Sequence, residues 1–247
     1  MANWNDPQPR TGFGASPSLD NGTLGQAAAY HLGLRRYMLS IYNYMASGVL
    51  LSGIVALFTA QSGLALQIFS TPLRWIVALA PFGIIMAMGM GFQRMRTSTM
   101  QVLFWAFSVL MGLSMSAIFM VYTGPSIAAT FFATAAAFAG LSLVGYTTKK
   151  DLSGFGTFLT MGLFGLIVAM IINMIWPMPG MALAISLLGV LIFAGLTAWD
   201  TQNLKQMYWQ VAGTEYEGKI VIHGALQLYL DFINMFQFLL SFLGDRR

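Results

Sequence analysis

Seven stretches of about twenty residues run through this 247-residue chain almost without charge, and they exclude most of what such a length could otherwise become. They lie near 38–60, 75–93, 101–122, 125–146, 155–175, 181–199 and 220–243. Each is long enough, at about 1.5 Å per residue, to cross a hydrocarbon core of about 30 Å. Only helices and closed barrels satisfy their backbone hydrogen bonds in lipid. The runs are continuously apolar rather than alternating, which argues against barrel strands. The expected fold is an all-α integral membrane protein, a seven-helix bundle. Composition agrees: 8% of residues are charged and 57% hydrophobic, against roughly a quarter charged in soluble domains. Too few polar side chains exist to cover a soluble surface.

Residues 1–34 are rich in Gly, Pro, Asn and Ser at their start and read as a disordered tail, and 35–247 read as one membrane domain. No apolar stretch follows a basic start, so the tail is not expected to be a signal peptide. Thr123-Gly124-Pro125-Ser126 and Trp176-Pro177-Met178-Pro179-Gly180 mark turns, and Pro81 predicts a kink in the second span. With no cysteine, disulfides and thiolate metal centres are excluded. The twelve Lys and Arg read as topology signals beside the spans rather than as a nucleic-acid surface. Arg94, Arg96, Lys149, Lys150, Lys205 and Lys219 fall on one side and Arg74 on the other, so the N-terminus is expected to be cytoplasmic. Arg246 and Arg247 fit this poorly. Either the last segment crosses in spite of them, or it re-enters and returns.

The seven spans contain one formal charge, Asp231, about 17 Å from the start of the last span. An isolated carboxylate at that depth costs on the order of 3 kcal/mol. A protonated Asp hydrogen-bonded across helices is one reading; an ion path or proton relay is the other, and the cost favours it. Asp200 marks the end of the sixth span and alone reads as an interfacial residue. Facing Asp231, it acquires chemistry. Two partly dehydrated carboxyl groups cannot both ionise cheaply and titrate as a unit. Doubly ionised, they offer oxygen ligands to a hard cation such as Ca²⁺. Arg94 and Arg96 are either positive-inside anchors or a gate pairing with Asp200. His223 is either an interfacial histidine or a proton relay, and Asn173 and Asn234 read as interhelical hydrogen-bonding residues.

Three segments resemble the Bax-inhibitor family (transmembrane Bax inhibitor motif proteins) in its bacterial branch. They are Trp199-Asp200-Thr201-Gln202, similar to the family's Tyr-Asp-Thr-Gln, the run from Ala225 to Phe236 in the last span, and Lys149-Lys150-Asp151-Leu152-Ser153. The resemblance implies a central last helix wrapped by the other six. It implies that Asp200 and Asp231 are paired as a pH sensor in a calcium-leak path, and that Arg94 latches the pair when closed. Trp199 in place of Tyr removes a hydroxyl beside the pair, and 203–219 reads as a long loop carrying Glu215 and Glu217.

The expected function is a pH-sensitive Ca²⁺ leak channel of a bacterial inner membrane, with acidification favouring leak. Asp200 and Asp231 are the sensor and transient Ca²⁺ ligands. The bilayer, Ca²⁺ and protons are the partners, and no resident cofactor is expected. The alternative is a non-conducting regulator that binds a membrane AAA protease. An enzyme is not expected, since neither a His-Glu-x-x-His nor a Gly-x-Ser-x-Gly motif occurs.

Overall fold

The computed structural model describes residues 21–178 and 180–247, with side chains from Tyr30 onward. Nine helices follow in order among the described residues: α1 Asn21–Gln61, α2 Leu64–Ser70, α3 Leu73–Gly91, α4 Thr97–Met115, α5 Ile118–Val121, α6 Gly124–Thr147, α7 Ser153–Ile175, α8 Met181–Val211 and α9 Glu217–Leu243. α1, α3, α4 with α5, α6, α7, α8 and α9 are the seven elements long and apolar enough to span a bilayer. They coincide with the seven apolar runs, and the protein is an all-α, multi-pass membrane protein.

Two boundaries differ from expectation. Residues 1–20 of the expected tail lie outside the described residues, but 21–34 are helical. The Ala27-Ala28-Ala29 run, the best intrinsic helix former, carries α1 back from its apolar stretch. At the other margin, 203–211 is not loop: α8 continues to Val211, and the true connection is 212–216. Hydropathy ends there but packing does not. Leu204 and Tyr208, one turn apart, are buried, and the Tyr208 ring lies 5.2 Å from that of Tyr37 in α1. Glu217 closes the short turn by accepting the Gly213 amide at 2.9 Å.

α9 is the most buried span and packs chiefly on α1, α4, α6 and α8. It is central, as expected, but the other six do not all wrap it closely. α3 packs chiefly on α4, and α7 on α8. The last segment crosses fully as one unbroken helix. Beyond it, Thr123 N donates to Asp245 O at 3.1 Å and Arg247 N to Val121 O at 2.9 Å. The C-terminus is thereby fastened to the α5–α6 connection, at the end of the bundle opposite loops 92–96, 148–152 and 212–216.

Candidate functional site: a buried acidic pair below a cavity with one polar face

Successive helical residues point about 100° apart, so four in a row address four surroundings. In α8, the Trp199 indole packs on Gly156 of α7 and leaves no room there for a Cβ. Asp200 faces α9. Thr201 Oγ1 donates to Ser142 Oγ of α6 at 3.4 Å. Gln202 clasps the α6–α7 connection, accepting from Leu152 N and donating to Lys150 O, both at 2.8 Å. The Lys149–Ser153 segment is thus held by the Trp-Asp-Thr-Gln segment itself. Within it Ser153 N and Oγ both donate to Asp151, and these bonds hold its carboxyl below the ordinary carboxylate range.

The structure brings Asp200 and Asp231 together. Gln227 Nε2 donates to Asp200 Oδ1 at 2.6 Å, and the two carboxyl groups are within hydrogen-bonding reach of each other. A hydrogen bond between two carboxyls requires a proton on one of them. Both residues are at most 4% exposed, so bulk water does not screen the pair. Asp231 Oδ2 has no hydrogen-bond partner among the described residues.

A cavity of about 760 Å³ adjoins the pair, bounded by α7, α8 and α9 with Phe82 of α3. It exists because α3 and α7 stand off α9. Gln227, Asp231, Asn234, Gln237 and Ser241 of α9 line it. Their spacings of four, three, three and four place them on one helical face, over a rise of about 21 Å. The cavity reaches from the pair toward the 176–180 connection, where Asn173, Met174 and Ala182 line it.

Other candidate residues take different places. Arg94 is exposed in the turn after α3, its backbone amide bonded to Gly91 O at 2.9 Å. It does not pair with Asp200 in this structure, because α3 packs on α4 rather than on α8, and Gln227 and Asp231 occupy the Asp200 carboxyl. Arg96 is likewise exposed. His223 packs edge-on against Phe92 at 5.6 Å, one turn below Gln227, and its Nδ1 has no partner among the described residues. Asn173 bonds locally, accepting from Met178 N at 3.4 Å, and Asn234 faces the cavity; neither joins helices as expected.

Among the described residues no three His, Cys, Asp or Glu side chains assemble a metal-holding group. The two carboxyls offer at most four of the six to eight oxygens that Ca²⁺ takes. Two features escaped the sequence reading. The α9 polar face was present as a spacing, but only Asp231 and Asn234 drew notice. A second set, Ser52 with the Tyr229 hydroxyl at 2.6 Å and Ser108 O at 2.7 Å, ties α1, α9 and α4 together. Serines in apolar runs carry no mark of which carbonyl they will meet.

A seven-span helical membrane protein organised around a buried carboxyl pair at the contact of its last two spans is the class that fold and site define. Residues 34–247 match the family described as "Inhibitor of apoptosis-promoting Bax1", and the chain belongs to this Bax inhibitor family. It is 44% identical to a protein of Rickettsia prowazekii over 226 residues, covering 91% of this chain and 96% of that one. It is 46% identical to a protein of Caulobacter vibrioides, covering 87% and 90%. With the inner membrane protein YbhL of Escherichia coli it shares 41% identity, covering 87% and 94%.

Proposed function

We propose that this protein is a pH-sensitive leak path for Ca²⁺ across a bacterial inner membrane, with its N-terminus cytoplasmic. The observation that carries the reading is the polar-faced cavity that ends on Asp200 and Asp231. Carboxylates along a membrane path are the usual cation-selecting element. The orientation follows from charge. Arg35, Arg36, Arg94, Arg96, Lys149, Lys150, Lys205 and Lys219 lie toward the end of the bundle where α1 begins, against Arg74, Arg246 and Arg247 at the other. Eight against three favours the first end as cytoplasmic.

In this reading a proton shared with Asp231 and an ion pair with Arg94 compete for Asp200. Loop 92–96 sits at the end of the bundle where α9 begins, with Lys219 Nζ donating to Gln93 O at 3.5 Å, so Arg94 needs a local rearrangement to reach inward. Acidification favours proton sharing, releases Arg94 and opens the leak. The test is Ca²⁺ flux into proteoliposomes from pH 5 to 8. Wild type is expected to leak more at acid pH, Asp231→Asn to flatten the profile, and Arg94→Ala to raise flux at the alkaline end. Flux no greater than in empty liposomes at every pH, from folded protein, sinks the channel and favours a non-conducting regulator of a membrane protease. Unchanged pH profiles in both variants sink the gating scheme alone.

A further inference from the structure

On the opposite face of α9 from the acidic pair, α1 and α6 both pack on α9 but not closely on each other. Between them lies a groove of about 850 Å³, within the range that accommodates a ligand-sized molecule. Met38, Met45 and Leu50 form one wall, Phe131, Ala139 and Leu143 the other, with Phe232 as the floor. Leu50 and Leu143 are both 63% exposed, so the groove opens sideways onto the hydrocarbon. Arg35 is the one charged side chain on its lining, and it stands at the end nearest the loops that carry most of the basic residues.

The groove has the proportions of one bilayer leaflet. From Arg35 to Leu50 the helix rises about 22 Å. Half of a hydrocarbon core of about 30 Å, with its share of the headgroup region, comes to about 20 Å. The polar groups occur where a headgroup lies. Tyr146 lines the upper groove, with Tyr42 about 10 Å further along from Arg35, and Lys205 Nζ reaches over Tyr146, 5.1 Å from its ring, to donate to Tyr146 O at 2.7 Å. An ammonium carries three donors, and this carbonyl takes one. Below the level of Tyr146 the lining is apolar apart from Ser142 and Tyr42.

We infer that the α1–α6 groove is a binding site for an anionic phospholipid of the bilayer, its phosphate held by Arg35 and an acyl chain laid along Met38 to Leu50. Charge complementarity selects the headgroup: a groove with a cation at one end and hydrocarbon walls below it fits an anionic amphiphile. This site is independent of ion passage through the α7–α9 cavity, since it faces away from it.

The test is lipid retention by the full-length protein, read by native mass spectrometry after release from non-ionic detergent. The probes are phosphatidylglycerol and phosphatidylcholine with identical acyl chains, at equal concentration. Wild type is expected to retain phosphatidylglycerol about five-fold over phosphatidylcholine, the factor one basic side chain at a membrane surface supplies. Arg35→Gln is expected to bring the two lipids level while keeping both. Ala139→Trp, at an exposed position that fills the groove, is expected to lower retention of both, with a melting temperature in lipid-free detergent like that of wild type. Equal retention of the two lipids by wild type overturns the headgroup assignment. Undiminished retention by a folded Ala139→Trp overturns the groove, whatever the wild-type preference.

Discussion

The three-helix polar contact around Ser52 makes a prediction in which two mutants of one hydrogen bond differ. Ser52 Oγ lies 2.7 Å from Ser108 O, 3.0 Å from Gly48 O and 2.6 Å from the Tyr229 hydroxyl. A serine hydroxyl has one proton, and carbonyls only accept, so that proton goes to a carbonyl. The Tyr229 hydroxyl is therefore the donor to Ser52. Tyr229→Phe keeps the ring in its place, 5.1 Å from that of Phe107, and leaves Ser52 bonded to its carbonyl. Its cost is about 0.6 kcal/mol, the mean for a hydrogen bond between membrane helices. Ser52→Ala strands the donor instead. Tyr229 is 0% exposed, and a buried hydroxyl without a partner costs about 1–3 kcal/mol. The double variant has no stranded hydroxyl and should be more stable than Ser52→Ala alone. Unfolding of purified protein in mixed micelles, run as a double-mutant cycle, measures all three. A Tyr229→Phe cost equal to or above that of Ser52→Ala, or strictly additive costs in the double variant, would show the donor assignment to be wrong.

Three further outcomes are expected. Gln202→Ala removes both bonds to the 150–152 backbone, about 1–3 kcal/mol in total, and should speed hydrogen exchange at the Leu152 amide about five-fold or more. Unaltered exchange there would mean the loop is held by something else. Gly145→Ala places a Cβ against the Ala198 carbonyl, 2.9 Å from its carbon and 3.0 Å from Ala198 Cα, where carbon contacts prefer about 3.5–4.0 Å. Overpacking of about 2–3 kcal/mol outweighs about 1 kcal/mol of gained helix propensity, so the melting temperature should fall. A rise would mean that α6 and α8 can part freely. Asn234→Leu should lower Ca²⁺ flux at every pH without moving the midpoint of its pH profile, because Asn234 lines the cavity a turn away from the pair. A shifted midpoint at full flux would place Asn234 in the sensor rather than the path.

The seven spans were legible because lipid imposes a local rule. A backbone without water must bond within its own segment, so each apolar run near Leu73–Gly91 or Ser153–Ile175 declares its helix unaided. Asp231 was legible for the same reason, as the charge most costly to leave in that setting. Where packing rather than hydropathy ended an element, the sequence was silent. α8 runs on to Val211 because Tyr208 finds a partner in Tyr37 of α1 and Leu204 packs on Gly224 of α9, neither of which any window along one helix contains. The crossing of α9 was left open by Arg246 and Arg247; it is answered by one unbroken helix, Glu217–Leu243, and the tail beyond it is fastened by backbone bonds to Val121 and Thr123, more than a hundred residues distant.

The acidic site divides in the same way. The residue types, the Trp-Asp-Thr-Gln segment and the four-three-three-four spacing along α9 are properties of the chain. That Asp200 meets Asp231 and Gln227 is decided by the packing of α8 on α9; that Arg94 stays out, and that a cavity ends there, depend on how far α3 and α7 stand from α9. A helix fixes which residues share its face; only the packing of several helices decides whether that face meets a neighbour, a cavity or the lipid.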